Sequence, residues 1–507
     1  MRKKPVSDII KTIAVCLPIF MIGLDILLMS VAIAPMANSL NAHTSTIQWF
    51  MSGYGIGAAC FLIPAGRLAD MYSYRRILVI GILGFTVTSA LIAASSDAHI
   101  IVLLRILQGV SGSLTLASIL SLLNDSFSPE KRNIILGMMV GSAGLGIGLS
   151  PIIGGLIITY ASWPAAFWIN VPIGLICYIL VMYSFRAKEP HYPEKRFDFV
   201  GLILILVSLV LLTTGVSQGP IWGWDNYTTL CCLGFAIMLF AAFVWHQRDF
   251  EFPLLSLTLF KITNFSIANI AGFSSYFVML GWLFVFSLFL PRIFNLSPLQ
   301  VGIAELPFSL TFFISGFIIG KFINTASHKL ILCCGFIIML ASTILLAFAT
   351  SATSYAYFGV AFGLLGLGFV ATNTASLTTM VQFIPTELVG LGFGTSMLFR
   401  WLGVAIGVAI ISVVYVSASV SSLKALTAQH HVFQHTLPMP QLIKLVITHG
   451  ADHEIANKII DPTQLAAAKA IYKQAYSHGL MACMWVLSSI SFITLLLVLK
   501  LLKKNND

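Results

Sequence analysis

The chain has 507 residues, 58% of them hydrophobic and only 9% charged, with a formal net charge of +10. Soluble domains carry about 25% charged residues, so this composition excludes a soluble enzyme, a nucleic-acid binder and a disordered scaffold. It describes an integral membrane protein, and its basic excess reports topology before it reports partners.

Fourteen segments supply the roughly 20 apolar residues that a helix needs to cross the hydrocarbon core. They lie at 12–34, 46–66, 76–95, 99–124, 133–160, 163–185, 199–217, 228–246, 266–290, 300–320, 329–349, 353–380, 388–418 and 478–500. The first follows Arg2, Lys3 and Lys4 as a signal peptide would, yet it is too long, contains Asp25 and lacks a persuasive cleavage site, so it reads as a retained helix. An even number of spans puts both chain ends on one side. With that side cytoplasmic, its two termini and short loops hold 20 Lys and Arg, against Arg292 alone in the short loops opposite. The positive-inside rule therefore predicts two cytoplasmic termini. The long segment 419–477 is external; its apolar runs are too short to span, and Pro462 interrupts a helix predicted over 455–476. It reads as a surface hairpin, or as a lid or partner-docking element.

The eight cysteines lie in or beside apolar runs without metal-site spacing, so they read as small packing residues and no metal is expected. His430, His431 and His435 form the one histidine cluster, in the external segment. An internal repeat is visible at two places. Gly66-Arg67-Leu68-Ala69-Asp70 with Arg75 after the second span is echoed by Gly320-Lys321-Phe322-Ile323-Asn324 with Lys329 after the tenth. Phe127-Ser128-Pro129-Glu130 is echoed by Phe383-Ile384-Pro385-Thr386-Glu387 at the end of each fourth helix. Two parallel repeats, each of six helices, account for both echoes and make spans 7 and 8 an insertion. The predicted architecture is an all-α membrane protein with an N-terminal six-helix bundle over 12–185, a two-helix insertion over 199–246, and a C-terminal six-helix bundle over 266–500.

Four motifs carry a family resemblance: Leu24-Asp25 in span 1; Gly66 to Asp70 followed by Arg75-Arg76; Arg105-Ile-Leu-Gln108-Gly109 in span 4; and Gly148-Leu-Ser-Pro151-Ile-Ile-Gly154-Gly155 in span 5. Trp168-Ile-Asn170-Val-Pro172, Phe197-Asp198, Trp222-Gly-Trp224 and Arg400-Trp-Leu-Gly403 add to them. This ordered set resembles the fourteen-helix drug:proton antiporters of the major facilitator superfamily along essentially the whole chain. The resemblance implies export of hydrophobic, usually cationic compounds against inward proton flow, and makes Arg105 a coupling residue. It also assigns Gly148, Pro151, Gly154 and Gly155 to a seal against uncoupled leak. The sequence departs from the family pattern at Ser150, where Gly is usual, at Leu27 and Ser30, where Thr and Asn are usual, and at Pro164 and Pro291. The departures in span 1 bear on substrate range.

No ATP motor is expected: Gly316-Phe-Ile-Ile-Gly320-Lys321 has the wrong spacing for a phosphate loop, with Phe322 where a hydroxyl must hold magnesium. Energy from an ion gradient needs a titratable group in a low-dielectric cavity. Asp25, halfway along span 1, is the first candidate. An unpaired carboxylate at that depth costs at least ~2.5 kcal/mol, so it needs either a structural ion pair or a role in coupling or cation binding. Glu305, between Gly302 and Pro307 near the outer end of span 10, reads as a second acidic site or as a partner of Arg292. Asp70 with Arg67, Arg75 and Arg76 suits a cytoplasmic gate latch, and Arg400 is the second-half candidate. Trp49, Trp163, Trp222 and Trp224 read as interfacial anchors, whereas Phe50, Tyr54, Phe167 and Trp401 are candidates to stack on flat cations.

The expected partners are small hydrophobic or cationic substrates, protons and the lipid bilayer of a bacterial cytoplasmic (inner) membrane, with no cofactor and no nucleic acid. A periplasmic adaptor protein is a further candidate partner through the external segment. The alternative is an exporter of one endogenous metabolite, such as a siderophore or lipid-like compound. A membrane enzyme is disfavoured, because no acid/base or metal constellation is evident.

Overall fold

The computed structural model describes residues 7–186, 198–251, 253–255, 257–322, 327–350, 353–384, 389–430 and 462–502. Among the described residues the chain is helical throughout: α1 (Asp8–Leu40), α2 (Thr44–Tyr72), α3 (Tyr74–Ala94), α4 (Ala98–Ser126), α5 (Pro129–Tyr160), α6 (Trp163–Trp168), α7 (Asn170–Ser184), α8 (Phe199–Trp222) and α9 (Tyr227–Asp249). A short 3-10 turn (Leu257–Lys261) leads into α10 (Thr263–Phe294), α11 (Pro298–Ala304), α12 (Leu306–Phe322), α13 (His328–Ala347), α14 (Tyr355–Gln382), α15 (Val389–His430) and α16 (Pro462–Leu501). Among the described residues, twelve helices are long and apolar enough to cross a membrane, and thirteen if the bent pair α11–α12 is one span.

The breaks follow from local chemistry. Pro307 has no N–H to give the carbonyl one turn back, that of Ile303, and its ring crowds that turn. The chain accordingly bends by 41° between α11 and α12. The Tyr355 hydroxyl, from α14, takes up the freed carbonyls at Ile303 (3.3 Å) and Ala304 (3.0 Å). At the other end of α11, Ser297 and Gln300 form a reciprocal capping box with Pro298 in the first turn. The segment predicted as an external loop over 419–477 is shorter than expected: α15 continues to His430 and α16 starts at Pro462. A proline is well tolerated in the first turn of a helix, so Pro462 begins one where the sequence reading had it interrupt one. His431 and His435 lie outside the described residues.

Helices α1 to α7 pack among themselves, α2 on α4, α1 on α5 and α3 on α4 and α7; α10 to α16 do the same, α13 on α14, α10 on α15 and α13 on α16. Helices α8 and α9 form a hairpin of their own. Helix α9 turns Phe235, Ile237, Met238, Phe240 and Trp245 outwards, as a lipid-facing helix would. The start of α1 and the end of α16 lie on one face, hereafter the terminal face: Asp8 pairs with Lys131 near the start of α5 at 2.5 Å, α5 runs antiparallel beside α11 and α12, and Lys329, just after α12, donates to the carbonyls of Leu499 and Leu502 near the end of α16.

Two seams join the groups. Along α5, positions 144, 148 and 155 share one face towards α11 and α12. A Cβ on Gly155 would lie 2.8 Å from the Leu299 Cα, and one on Gly302 would run into the Pro151 carbonyl, so these backbones touch at the far face. A Cβ on Gly148 would lie 3.8 Å from the Ser309 carbonyl oxygen, and one on Gly144 3.6 Å from the Phe313 ring. Further towards the terminal face, Gly141 and Gly316 meet nothing within 4 Å. The α2–α15 seam behaves alike: Gly55 abuts Val404 and Tyr54 stacks edge-on against Trp401 (5.4 Å), whereas Gly66 meets nothing within 4 Å. The seams are closed at the far face and part towards the terminal face.

Candidate functional site: a buried carboxylate network

Asp25 sits in the middle of α1 and is fully buried, as is Arg105 on α4 at 2% exposure. Their side chains meet at 2.7 Å between Asp25 Oδ2 and Arg105 Nη1. Arg105 reaches this position because Gly57 and Gly109 let the backbones of α2 and α4 come together; a Cβ on Gly109 would run into the Tyr54 carbonyl. The guanidinium Nε then donates to the Phe50 carbonyl at 2.7 Å, Nη1 also donates to Gln108 Oε1 at 2.6 Å, and the group lies 4.8 Å above the Tyr54 ring. The other carboxylate oxygen, Oδ1, accepts from Gln108 Nε2 (3.3 Å) and from Asn170 Nδ2 (3.2 Å), and both amides also donate to Ser89. Side chains of α4 and α7 therefore converge on the α1 carboxylate, with Ser89 of α3 behind the two amides. An ionised pair this deep is offset only when its remaining donors and lone pairs are also satisfied; these partners occupy both carboxylate oxygens and the guanidinium Nε and Nη1, while Asn170 Oδ1 stays buried without a partner.

Asn170 and Ser89 were not singled out by role from the sequence. Asn170 lay inside a quoted motif, and its signal is an amide at the start of a helix, two residues before Pro172. Tyr54, Phe50, Phe167 and Trp401 are all buried. Of the expected interfacial anchors, Trp222 and Trp224 are exposed, but Trp49 and Trp163 are 8% exposed and Trp163 donates to Ser39 at 2.8 Å. An indole that finds a hydroxyl partner can be enclosed by neighbouring helices.

The structure places Glu305 away from the Asp25 network, at the α11–α12 break, fully buried. It does not pair with Arg292, whose guanidinium lies 5.0 Å above the Tyr476 ring; Glu305 Oε2 instead lies 2.6 Å from Ser30 Oγ on α1. Arg400 is fully buried in the second group with neutral partners: Nε to Asn373 (3.1 Å), Nη1 to the Ser396 carbonyl (3.0 Å) and Nη2 to Ser376 (2.7 Å). It fits against Gly272, where a Cβ would lie 2.8 Å from the guanidinium carbon.

In the predicted gate, Arg75 turns into its own group and donates to the Met182 carbonyl of α7 at 3.3 Å, while Arg76 is exposed. The Asp70 side chain lies outside the described residues. In α5, Pro151 and Gly154 are buried with Gly155, and the Ser150 hydroxyl donates to the Leu24 carbonyl, pinning α5 to α1 one residue from Asp25. No group of three metal-ligating side chains occurs among the described residues.

Comparison with known proteins identifies the family. The chain is 29% identical over 405 residues to the tetracenomycin C resistance and export protein of Streptomyces glaucescens, covering 80% of this chain and 75% of that one. It is 27% identical over 406 residues to the multidrug resistance protein Stp of Mycobacterium tuberculosis, with the same coverage. Its fold matches the crystal structure of a bacterial homologue of the human lysosomal transporter Spinster, in an inward-facing and unoccupied conformation, with a TM-score of 0.65 at 12% identity over 98% of this chain and 99% of that one. The sequence profile of the Major Facilitator Superfamily matches residues 15–408, and the chain, a multi-pass membrane protein, belongs to that family.

Proposed function

We propose that the protein is a proton-coupled antiporter that exports hydrophobic, cationic drugs or toxic compounds by alternating access, with Asp25 as the coupling carboxylate. The observation that carries this reading is the Asp25–Arg105 pair with its two amide donors, a titratable group enclosed among the membrane helices of the first bundle. Arg105 stays charged throughout. Its distance from Asp25 decides whether the carboxylate is held ionised or left free to take a proton, and a protonated Asp25 no longer competes for a cationic substrate.

The rest of the reading follows the same frame. Helix α2, 29 residues long, and the bent pair α11–α12 each count as one span, for fourteen in all. Both termini face the cytoplasm of a bacterial cell, so the terminal face is the cytoplasmic one and the parted seams describe an inward-open state. Residues 12–185 and 266–500 form the two rocking bundles around the insertion 199–246. Asp70 with Gly66, Arg75 and Arg76 forms the cytoplasmic gate, Gly148 to Gly155 the antiporter seal, and the external segment the surface that a periplasmic adaptor would use. The test is dye efflux from proteoliposomes under an imposed pH gradient, using ethidium with wild type beside Asp25→Asn. Gradient-driven efflux lost in the variant supports the reading; gradient-independent efflux in both, from folded protein, overturns it.

The second reading is export of one endogenous metabolite, such as a siderophore or lipid-like compound; a relative named for a single compound, tetracenomycin C, supports single-compound export. A resistance profile confined to one chemical class would select it.

A further inference from the structure

A proton count at Ser30 is informative. Its single hydroxyl hydrogen faces two acceptors, the Leu27 carbonyl of its own helix at 2.7 Å and Glu305 Oε2 at 2.6 Å. One hydrogen cannot lie along both short lines. If Ser30 donates to Leu27, as serine commonly does within a helix, the second contact needs a hydrogen from the other side, on Glu305. With that hydrogen the chain Glu305 Oε2–H to Ser30 Oγ–H to Leu27 O is complete. The surroundings agree. Glu305 Oε1 is buried without a partner, which a neutral carbonyl oxygen tolerates far better than a charged one. Around it, α1 contributes Ser30, with Asp25 more than a turn away and already held by Arg105; α14 contributes Tyr355, its hydroxyl spent on the carbonyls of Ile303 and Ala304; and α5 contributes the Pro151 backbone beside Gly302. Arg292 of α10 lies over Tyr476, and among the described residues no cation is paired with Glu305.

The position matters as much as the proton. Ser30 belongs to the first group of helices and Glu305 to the second, 275 residues apart, and their contact lies in the closed part of the α5–α11 seam. Parting that seam brings Glu305 to the water of the far face.

We propose that Glu305 is a second proton-binding site of this protein, a latch on the seam that holds the far side shut while it carries a proton and lets it part when the proton leaves. When the seam is open, water delivers a proton to Oε2; on closing, that O–H donates to Ser30, and Ser30 donates to Leu27. When the proton returns to far-side water, Ser30 has one hydrogen for two acceptors and the seam would enclose an unpaired carboxylate, so the open form gains. The proposal rests on the alternating-access reading but not on Asp25 being the coupling group.

Two measurements on the full-length protein in proteoliposomes test it. The first is the infrared carboxylic-acid C=O band as pH is varied; a band present in wild type and in Asp25→Asn but lost in Glu305→Gln is expected. The second is the distance between spin labels at the far-face positions Ser96→Cys and Ser354→Cys, with Cys231, Cys232 and Cys334 changed to Ser. Wild type should gain the longer separation as pH rises. Glu305→Gln, whose amide can still donate to Ser30, should keep the shorter one at every pH, and Ser30→Ala should weaken the pH response without removing the infrared band. A pH response in Glu305→Gln equal to wild type, or no Glu305-dependent band, overturns the proposal. Should Glu305→Gln fail to fold, an unchanged distance response in Ser30→Ala and Glu305→Asp overturns it equally. Wild type that shows the band and the distance change but no gradient-driven dye efflux leaves the latch standing and removes the proton-antiport reading; the converse removes the latch alone.

Discussion

Arg105 and Asp25 meet at 2.7 Å with neither side chain more than 2% exposed, and each is also held by groups from other helices. Such a pair has little net value compared with apolar packing, but removing one partner leaves an uncompensated buried charge at a cost of about 3–5 kcal/mol. Arg105→Gln and Asp25→Asn should therefore each lower the unfolding temperature in detergent, and the double variant should recover most of the loss. Dye efflux driven by a pH gradient should stay absent in all three. Recovery of efflux in the double variant would make the pair purely structural.

Asn170 and Gln108 hold the same carboxylate oxygen. A hydrogen bond to a charged group contributes about 1.5–3 kcal/mol, so Asn170→Leu should destabilise by that order and move the pH at which efflux is half-maximal. Gln at position 170 should restore part of both. The check is thermal unfolding beside a pH profile of ethidium efflux; a stability loss with an unmoved profile would place Asn170 outside the coupling machinery.

The glycine seam makes a directional prediction. A side chain at Gly302 or Gly155 collides with backbone at the far face, while one at Gly148 or Gly144 meets its neighbours at ordinary van der Waals distance. Gly302→Val should therefore raise the fraction of molecules open at the far face, read as faster labelling of a cysteine placed at Leu299, whereas Gly144→Ala should leave that rate unchanged. Pro151→Ala, which restores an N–H donor in mid-helix, should increase passive proton leak across proteoliposomes.

Arg400 supplies hydrogen bonds to Asn373, Ser376 and Ser396 at once. An ammonium group cannot match that planar fork, so Arg400→Lys should lower stability by about 1–3 kcal/mol although the charge is kept. Thermal unfolding decides this, and an unchanged transition would mean that the polar contacts around Arg400 contribute nothing.

Asp25 and Arg105 were legible in the sequence because a charge inside a long apolar run is visible in one dimension. Their contact was not fixed by it, since any of several helices could have lain opposite. The Ser30–Glu305 contact was out of reach, because it depends on two helices 275 residues apart and on the bend at Pro307, whose segment read as one continuous span. Hydropathy locates the part of a helix that suits lipid, and so it missed residues 419–430, where α15 runs on through Ser, Lys, Thr and Gln.

Helix α8 packs on α2 from one group and on α15 from the other. In the proposed alternating-access cycle, a rigid turn of one group against the other would preserve at most one of those contacts, so the α8–α9 hairpin would ride with one partner and slip on the second. The four hydroxyls of α8 suit a sliding surface: Thr213, Thr214 and Ser217 bond within the helix and Ser208 bonds to Ala236 of α9. Their bonds are made inside the hairpin. Leu202, Ile205 and Leu209 are left to carry the contact with the central core. Dispersion between such side chains has no fixed register to break, which makes the hairpin a lubricated bearing rather than a strap.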